Sequence, residues 1–179
     1  MKNGQVVICP DEIVGPRLVL KPITSAYAVE IFQEFTPEIT TYMMPRSPSQ
    51  ISETEQFIAL ACEQRKSGTD LGLVILDKSG KEFLGVCGLH GTQNSKQPEV
   101  GIWLKRAAHK KGFGREAISV LKDWCELTLD VEGLIYPVDR RNQASRKIPE
   151  LLGGKIVSEK KETNMSGNEL DEVIYFIPV

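Results

Sequence analysis

The segment His109-Lys-Lys-Gly-Phe-Gly-Arg115 gathers the most chemically suggestive residues of the chain. Gly112 and Gly114 allow backbone N–H groups to approach a ligand with no Cβ in the way. A helix starting here would add its unpaired first-turn amides and the positive end of its dipole. Lys110, Lys111 and Arg115 place cations where acidic residues are otherwise favoured, so the segment reads as a seat for a phosphate or pyrophosphate. The same residues also make a tight turn with solvated lysines, since an isolated Gly-x-Gly is weak evidence. The segment is not a P-loop, because Gly-Lys-Ser/Thr is missing, and it is not a complete dinucleotide fingerprint.

Other residues offer proton chemistry. Glu99 opens the run Glu-Val-Gly-Ile-Trp-Leu104, where its carboxylate can receive a proton or simply be solvated. Asn142 and Ser145 stand three apart after an apolar run; the pair can cap a helix, or contact a ligand and protonate a leaving group. His90, one residue beyond a strand pattern, is a second candidate base, ranked behind Glu99, or a polar loop residue. Cys9, Cys62, Cys87 and Cys125 are scattered with no Cys-x-x-Cys, and only His90 and His109 are left to complete a metal site. The expectation is no metal and reduced thiols. Cys87 and Cys125 fall in apolar patterns, which argues against a covalent acyl-cysteine route.

These residues need elements to position them. Arg17–Pro22 alternates as a strand after a loose arm, residues 1–16, and residues 17–179 read as one domain. Ala28, Ile31, Phe32 and Phe35 give a first helical stripe, and Ser52-Glu-Thr-Glu55 predicts a capping box for a second helix ending near Lys66. Between them, Tyr42 to Ser49 is a proline- and methionine-containing loop. Strands are predicted at 71–76, 83–89 and 99–104, then a long amphipathic helix over 114–129. A strand at 134–138, a helix at 142–152 disturbed by Pro149, and strands at 155–160 and 173–177 complete the pattern, with a turn at 164–168.

Composition sets outer bounds. In 179 residues, 41% hydrophobic content supports one sizeable core, and 22 Lys and Arg against 24 Asp and Glu create no field to attract nucleic acid or an anionic membrane. No apolar window reaches 18 residues and the first residues do not read as a signal peptide, so a cytoplasmic protein is expected.

With these elements in order, residues 109–114 resemble the coenzyme A pyrophosphate loop of the GNAT N-acetyltransferases, [QR]-x-x-G-x-[GA], with His109 where Gln or Arg is usual. The opening Arg-Leu-Val-Leu-Lys-Pro, the strand Glu99–Leu104 and the late Asn-x-x-Ser followed by glycine resemble the RimJ/RimL branch. The resemblance implies the GNAT fold: an α/β architecture with a mixed, mostly antiparallel sheet and helices on both faces. It implies acetyl-CoA as co-substrate and direct transfer of acetyl to an amine, such as a protein N-terminal α-amine, a peptide or a small amine. It places coenzyme contacts at Ile102, Trp103, Leu104, His109, Lys110, Lys111, Gly112, Phe113, Gly114, Arg115, Asn142 and Ser145, with Glu99 and Ser145 as catalytic groups. The family's acceptor site points to Tyr42, Met43 and Met44. No tyrosine acid carries over, because Pro149 and Glu150 occupy its neighbourhood. A catalytically silent coenzyme A-binding module is the alternative; the protein is expected to act without nucleic acid or membrane, as a monomer or homodimer.

Overall fold

The computed structural model describes residues 10–93 and 96–179. In chain order the strands are β1 (Ile13–Val14), β2 (Leu18–Pro22), β3 (Asp70–Asp77), β4 (Phe83–His90), β5 (Glu99–Leu104), β6 (Gly133–Asp139), β7 (Lys155–Thr163) and β8 (Glu169–Pro178). The helices are α1 (Ala28–Glu34), α2 (Ile51–Ser67), α3 (Phe113–Thr128) and α4 (Gln143–Leu151). All eight strands join one sheet in the order β1-β2-β3-β4-β5-β6-β8-β7, antiparallel except for β5 beside β6.

Alternation within the strands demands cover on both faces. On one face Leu18, Leu20, Leu73, Ile75, Leu89, Val100 and Leu134 pack with Ala117, Ile118, Leu121 and Cys125 of α3, and Ile148 of α4 closes the same cluster. On the other, Val19, Val74, Val86 and Phe83 pack with Ala28 and Ile31 of α1 and with Ile58 and Ala61 of α2. Each large aliphatic side chain fully removed from water contributes about 1.5–3 kcal/mol, so the two clusters hold helices to both faces.

Three expectations change in detail. Ile13 and Val14 lie in the segment read as a loose arm, yet pair antiparallel with Leu20 and Val19, and Ile13 is buried. The second helix starts at Ile51, not after Ser52, and Glu53 reaches back to the Ser49 amide at 3.0 Å and to the Ser49 hydroxyl. Acidic reach-back is thus present two residues earlier than the Ser52–Glu55 spacing suggests, from Glu53 instead of Glu55. Pro149 sits within α4 without ending it: the helix runs to Leu151, and the Pro149 carbonyl accepts from the amides of Leu152 and Gly154 at 3.1 and 2.8 Å. A proline one turn from a helix end costs less than one in the middle, because little helix follows it.

Two features of the sheet prepare the site. The parallel pairing of β5 with β6 registers Glu99 against Ile135, with the Ile135 amide donating to the Pro98 carbonyl at 3.0 Å, and no further pair forms along these strands among the described residues. On the α1/α2 face, register stacks three rows across β3, β4 and β5: Asp70, His90 and Glu99; Gly72, Gly88 and Gly101; Val74, Val86 and Trp103.

Candidate active site

Gly112 is the N-cap residue of α3 at φ +81°, a left-handed conformation suited to glycine, and no side chain caps the helix. The first helical hydrogen bond runs from the Glu116 amide to the Gly112 carbonyl at 3.1 Å, so the amides of Phe113, Gly114 and Arg115 precede the helical ladder and face outward from its start. Gly114 is buried, and a Cβ there would lie 3.0 Å from Ile148 Cδ1 and 3.6 Å from Leu104 Cδ1. This turn lets the strand, loop and helix α4 approach closely, and a diphosphate fits its open amides.

The charge at this helix start is more structured than the sequence suggests. Glu116 brings an acidic group into the first turn, but Arg17 occupies both its oxygens, from its backbone amide and its Nε at 2.7 Å each. Arg17 also donates to the Lys111 carbonyl at 3.1 Å and lies over the Phe113 ring at 4.7 Å. Lys110, Lys111 and Arg115 remain exposed around the open amides. His109 is held inward: its Nε2 bonds the Leu104 carbonyl at 2.9 Å, tying the loop to the end of β5 instead of offering that nitrogen to an anion.

The Lys105 amide donates to Leu84 of β4 at 2.8 Å, so by alternation the amides of Ile102 and Leu104 point the opposite way, toward the gap where β5 and β6 stop pairing. Of the three residues expected to line this edge, Ile102 and Leu104 pack against the α3 side. Trp103 turns to the other face, between Phe35 at 4.8 Å and Phe83 at 5.8 Å between ring centres. Its ring is wall and leaves polar contact to the strand backbone.

Helix α4 supplies the opposite bank. Asn142 caps it, accepting from the Ser145 amide at 3.2 Å. The Ser145 hydroxyl lies 2.8 Å from that of Tyr136 on β6, which sequence reasoning missed. Tyr136 is buried, and burial pushes its phenol up to about 12, so it stays protonated at neutral pH. A tyrosine in the apolar run Leu-Ile-Tyr-Pro-Val was the available signal, since a buried phenol requires a partner. Beside it, Tyr175 donates to Glu150 at 2.7 Å and accepts from Arg146 at 3.1 Å.

On the other face, Glu99 is exposed at the head of β5 and His90 stands directly opposite it on β4. The His90 Nδ1 lies 3.0 Å from Asp70 Oδ1. Farther along, Asp139 is fully buried, held below the usual aspartate range first by hydrogen bonds from Arg141 at 2.8 and 2.7 Å. Arg141 in turn lies over the Tyr42 ring at 5.3 Å. The Met43 carbonyl accepts from the Asn164 side chain at 3.1 Å and the Met44 carbonyl from the Met165 amide at 3.0 Å, which joins the 42–49 segment to the β7–β8 turn. Cys87 and Cys125 are buried, and burial drives both thiols up to about 12, leaving no thiolate for acyl transfer. Cys9 lies outside the described residues. Among those described, no group of three potential metal ligands occurs, and no helix is long and apolar enough to cross a membrane.

A family described as "Acetyltransferase (GNAT) domain" matches residues 17–155. The chain belongs to this GNAT acetyltransferase family. GNAT enzymes use acetyl-CoA as the acetyl donor. The curated relative "Uncharacterized N-acetyltransferase p20" of Bacillus licheniformis is 27% identical over 113 residues, 63% of this chain and 64% of its own length. Among solved structures, RimL, a ribosomal L7/L12 alpha-N-protein acetyltransferase in complex with coenzyme A, superposes with a TM-score of 0.83 at 17% identity, over 94% of this chain and 98% of its own. The microcin C7 self-immunity acetyltransferase MccE, in complex with acetyl-CoA and AMP, gives 0.84 at 20% identity, over 98% of this chain and 100% of its own. These likenesses show that the GNAT architecture extends over nearly the whole chain.

Proposed function

We propose that this protein transfers acetyl from acetyl-CoA directly to an amine in a ternary complex, with a protein N-terminal α-amine or an amine of similarly low basicity as the preferred acceptor. The observation that carries the proposal is the meeting, at one end of β5, of two sets of open backbone amides: those at the start of α3 and those of Ile102 and Leu104. The first set, with Lys110, Lys111 and Arg115, holds the coenzyme's pyrophosphate; the second polarises the thioester carbonyl and supports its developing negative charge. Acetyl-CoA supplies the activated acyl group. On the α4 bank, the Tyr136 and Ser145 hydroxyls are 2.8 Å apart, and with Tyr136 as the donor the serine proton is free to meet the departing sulfur. The row to which Glu99 belongs meets the acceptor amine on the opposite face and takes its proton.

The acceptor preference follows from proton availability. A neutral nitrogen must attack, and an α-amine titrating near about 7.7–8.0 is roughly 10–15% neutral at pH 7, whereas a lysine near about 10.4 is below about 0.1% neutral. RimL acts on a protein α-amine, as its description states, which supports this choice. Lysine-free peptides with a free N-terminus, compared with N-blocked lysine peptides across pH 6–9, test it through thiol release from acetyl-CoA. Turnover of the free-N-terminus peptides is expected; turnover of only the blocked lysine peptides overturns the acceptor preference. Coenzyme binding without thiol release from any amine would leave a silent coenzyme A-binding module.

A further inference from the structure

We infer that His90, held by Asp70, is the group that takes the proton from the acceptor amine, and that Glu99 beside it attracts the cationic acceptor. The inference rests on the acetyl-transfer reading above and assigns its proton acceptor.

The row Asp70, His90 and Glu99 crosses three adjacent strands on the α1/α2 face, where only sheet register brings residues so distant in sequence together. Asp70 is a carboxylate that can only accept, and its Oδ1 also receives the Gly91 amide at 3.2 Å. Its contact with Nδ1 therefore places the imidazole proton on Nδ1 and leaves the Nε2 lone pair free. Nε2 points along the face toward the glycine row: among the described residues, a Cβ built on Gly101 would have one heavy-atom neighbour within 4 Å, His90 Nε2, at 3.7 Å. At the other end of that row the space is filled, since a Cβ on Gly72 would meet Ala61 and Ile23 at 3.5 Å each. The opening thus lies over Gly101, walled by Trp103, faced by Nε2 and bordered by Glu99. Gly101 immediately precedes Ile102, whose amide points toward the gap beside β6. An amine nitrogen resting over Gly101 is next to both the lone pair and the strand edge that holds the thioester.

The exposures suit the roles. The His90 side chain is 57% exposed and can pass a proton to water after each turnover, while Asp70, at 16%, is a fixed orienting partner. In the step, the acceptor ammonium first loses one proton to water, and the neutral nitrogen then bonds the acetyl carbon and loses its second proton to Nε2. The carbon–sulfur bond breaks with its electron pair on sulfur, and the sulfur takes up one proton, so protons and charge balance.

The test uses the full chain, acetyl-CoA and the best peptide acceptor from the screen above. His90→Gln is expected to lower kcat/KM roughly 10- to 100-fold at pH 7, with acetyl-CoA still raising Tm as in the parent. In His90→Ala, added imidazole is expected to restore part of the lost rate. Asp70→Asn should give an intermediate loss with the acid limb of the kcat/KM profile displaced, and Glu99→Gln a loss below about fivefold, mostly in KM. Full activity in His90→Gln, or failure of imidazole to rescue His90→Ala while Glu99→Gln loses the larger share, overturns the assignment and leaves acetyl transfer standing. A parent protein that releases no thiol with any amine overturns the acetyl-transfer reading and this assignment with it.

Discussion

The two sides of strand β5 on which we propose that binding and chemistry take place are built in opposite ways. Toward α3, the site is made of backbone: glycines, the amides before the first helical bond and strand amides left by the end of the β5–β6 pairing, all within residues 99–116. Toward α1 and α2, it is made of side chains from β3, β4 and β5, collected by register from positions 70, 90 and 99. A backbone site tolerates many side chains and depends on a few conformations, whereas a register-built site depends on side-chain identity at positions that no local motif marks.

The contrast can be broken most sharply at Gly112. Gly112→Asp should abolish the rise in Tm given by acetyl-CoA, because a side chain at φ +81° is strained and a carboxylate there repels phosphate. Retained binding by a folded variant would refute the backbone cradle. Next in size, Ser145→Ala should lower kcat by about 10- to 100-fold, and Tyr136→Phe by about three- to tenfold with KM unchanged; equal activity in both would return the Ser145–Tyr136 contact to a packing role. Asn142→Ala should act mainly on stability, by about 1 kcal/mol or roughly 2–4 °C in Tm, because its side chain caps α4. A large fall in coenzyme affinity at unchanged Tm would show that the cap is not its main task.

The smallest expected effect is with pH. Asp139 is held below the usual aspartate range, chiefly by Arg141, so its contribution is complete above the unfolded-state value and is lost as pH falls through the folded value. Thermal stability measured from pH 6 down to pH 3 should therefore fall less steeply in Asp139→Asn than in the parent; parallel curves would remove this ion pair from the acid response.

The same contrast explains what could be read in advance. Helix α3 and the loop before it announce themselves through Gly112, Gly114 and a continuous apolar stripe, because both signals are local. Strand alternation likewise marks Glu99–Leu104, whose bounds coincide with β5. Tyr136 was not singled out because its partner Ser145 comes from another element, and His90 ranked below Glu99 because Asp70, 20 residues away, becomes its neighbour only when β3 pairs with β4. Glu116, which no local motif singles out, is taken up by Arg17 from 99 residues away.

The bonds from Asn164 and Met165 to the carbonyls of Met43 and Met44 have a dynamic consequence. Arg141, between β6 and α4, lies over Tyr42 and donates to the Glu169 carbonyl of β8 at 2.8 Å, so it ties the 42–49 segment and the β7–β8 hairpin together from a third element. Neither can swing outward alone without exchanging the bonds to the Met43 and Met44 carbonyls for bonds to water. Widening this side of the molecule is therefore a concerted displacement of both pieces, a collective motion of the microsecond-to-millisecond kind rather than the nanosecond flutter of a free loop.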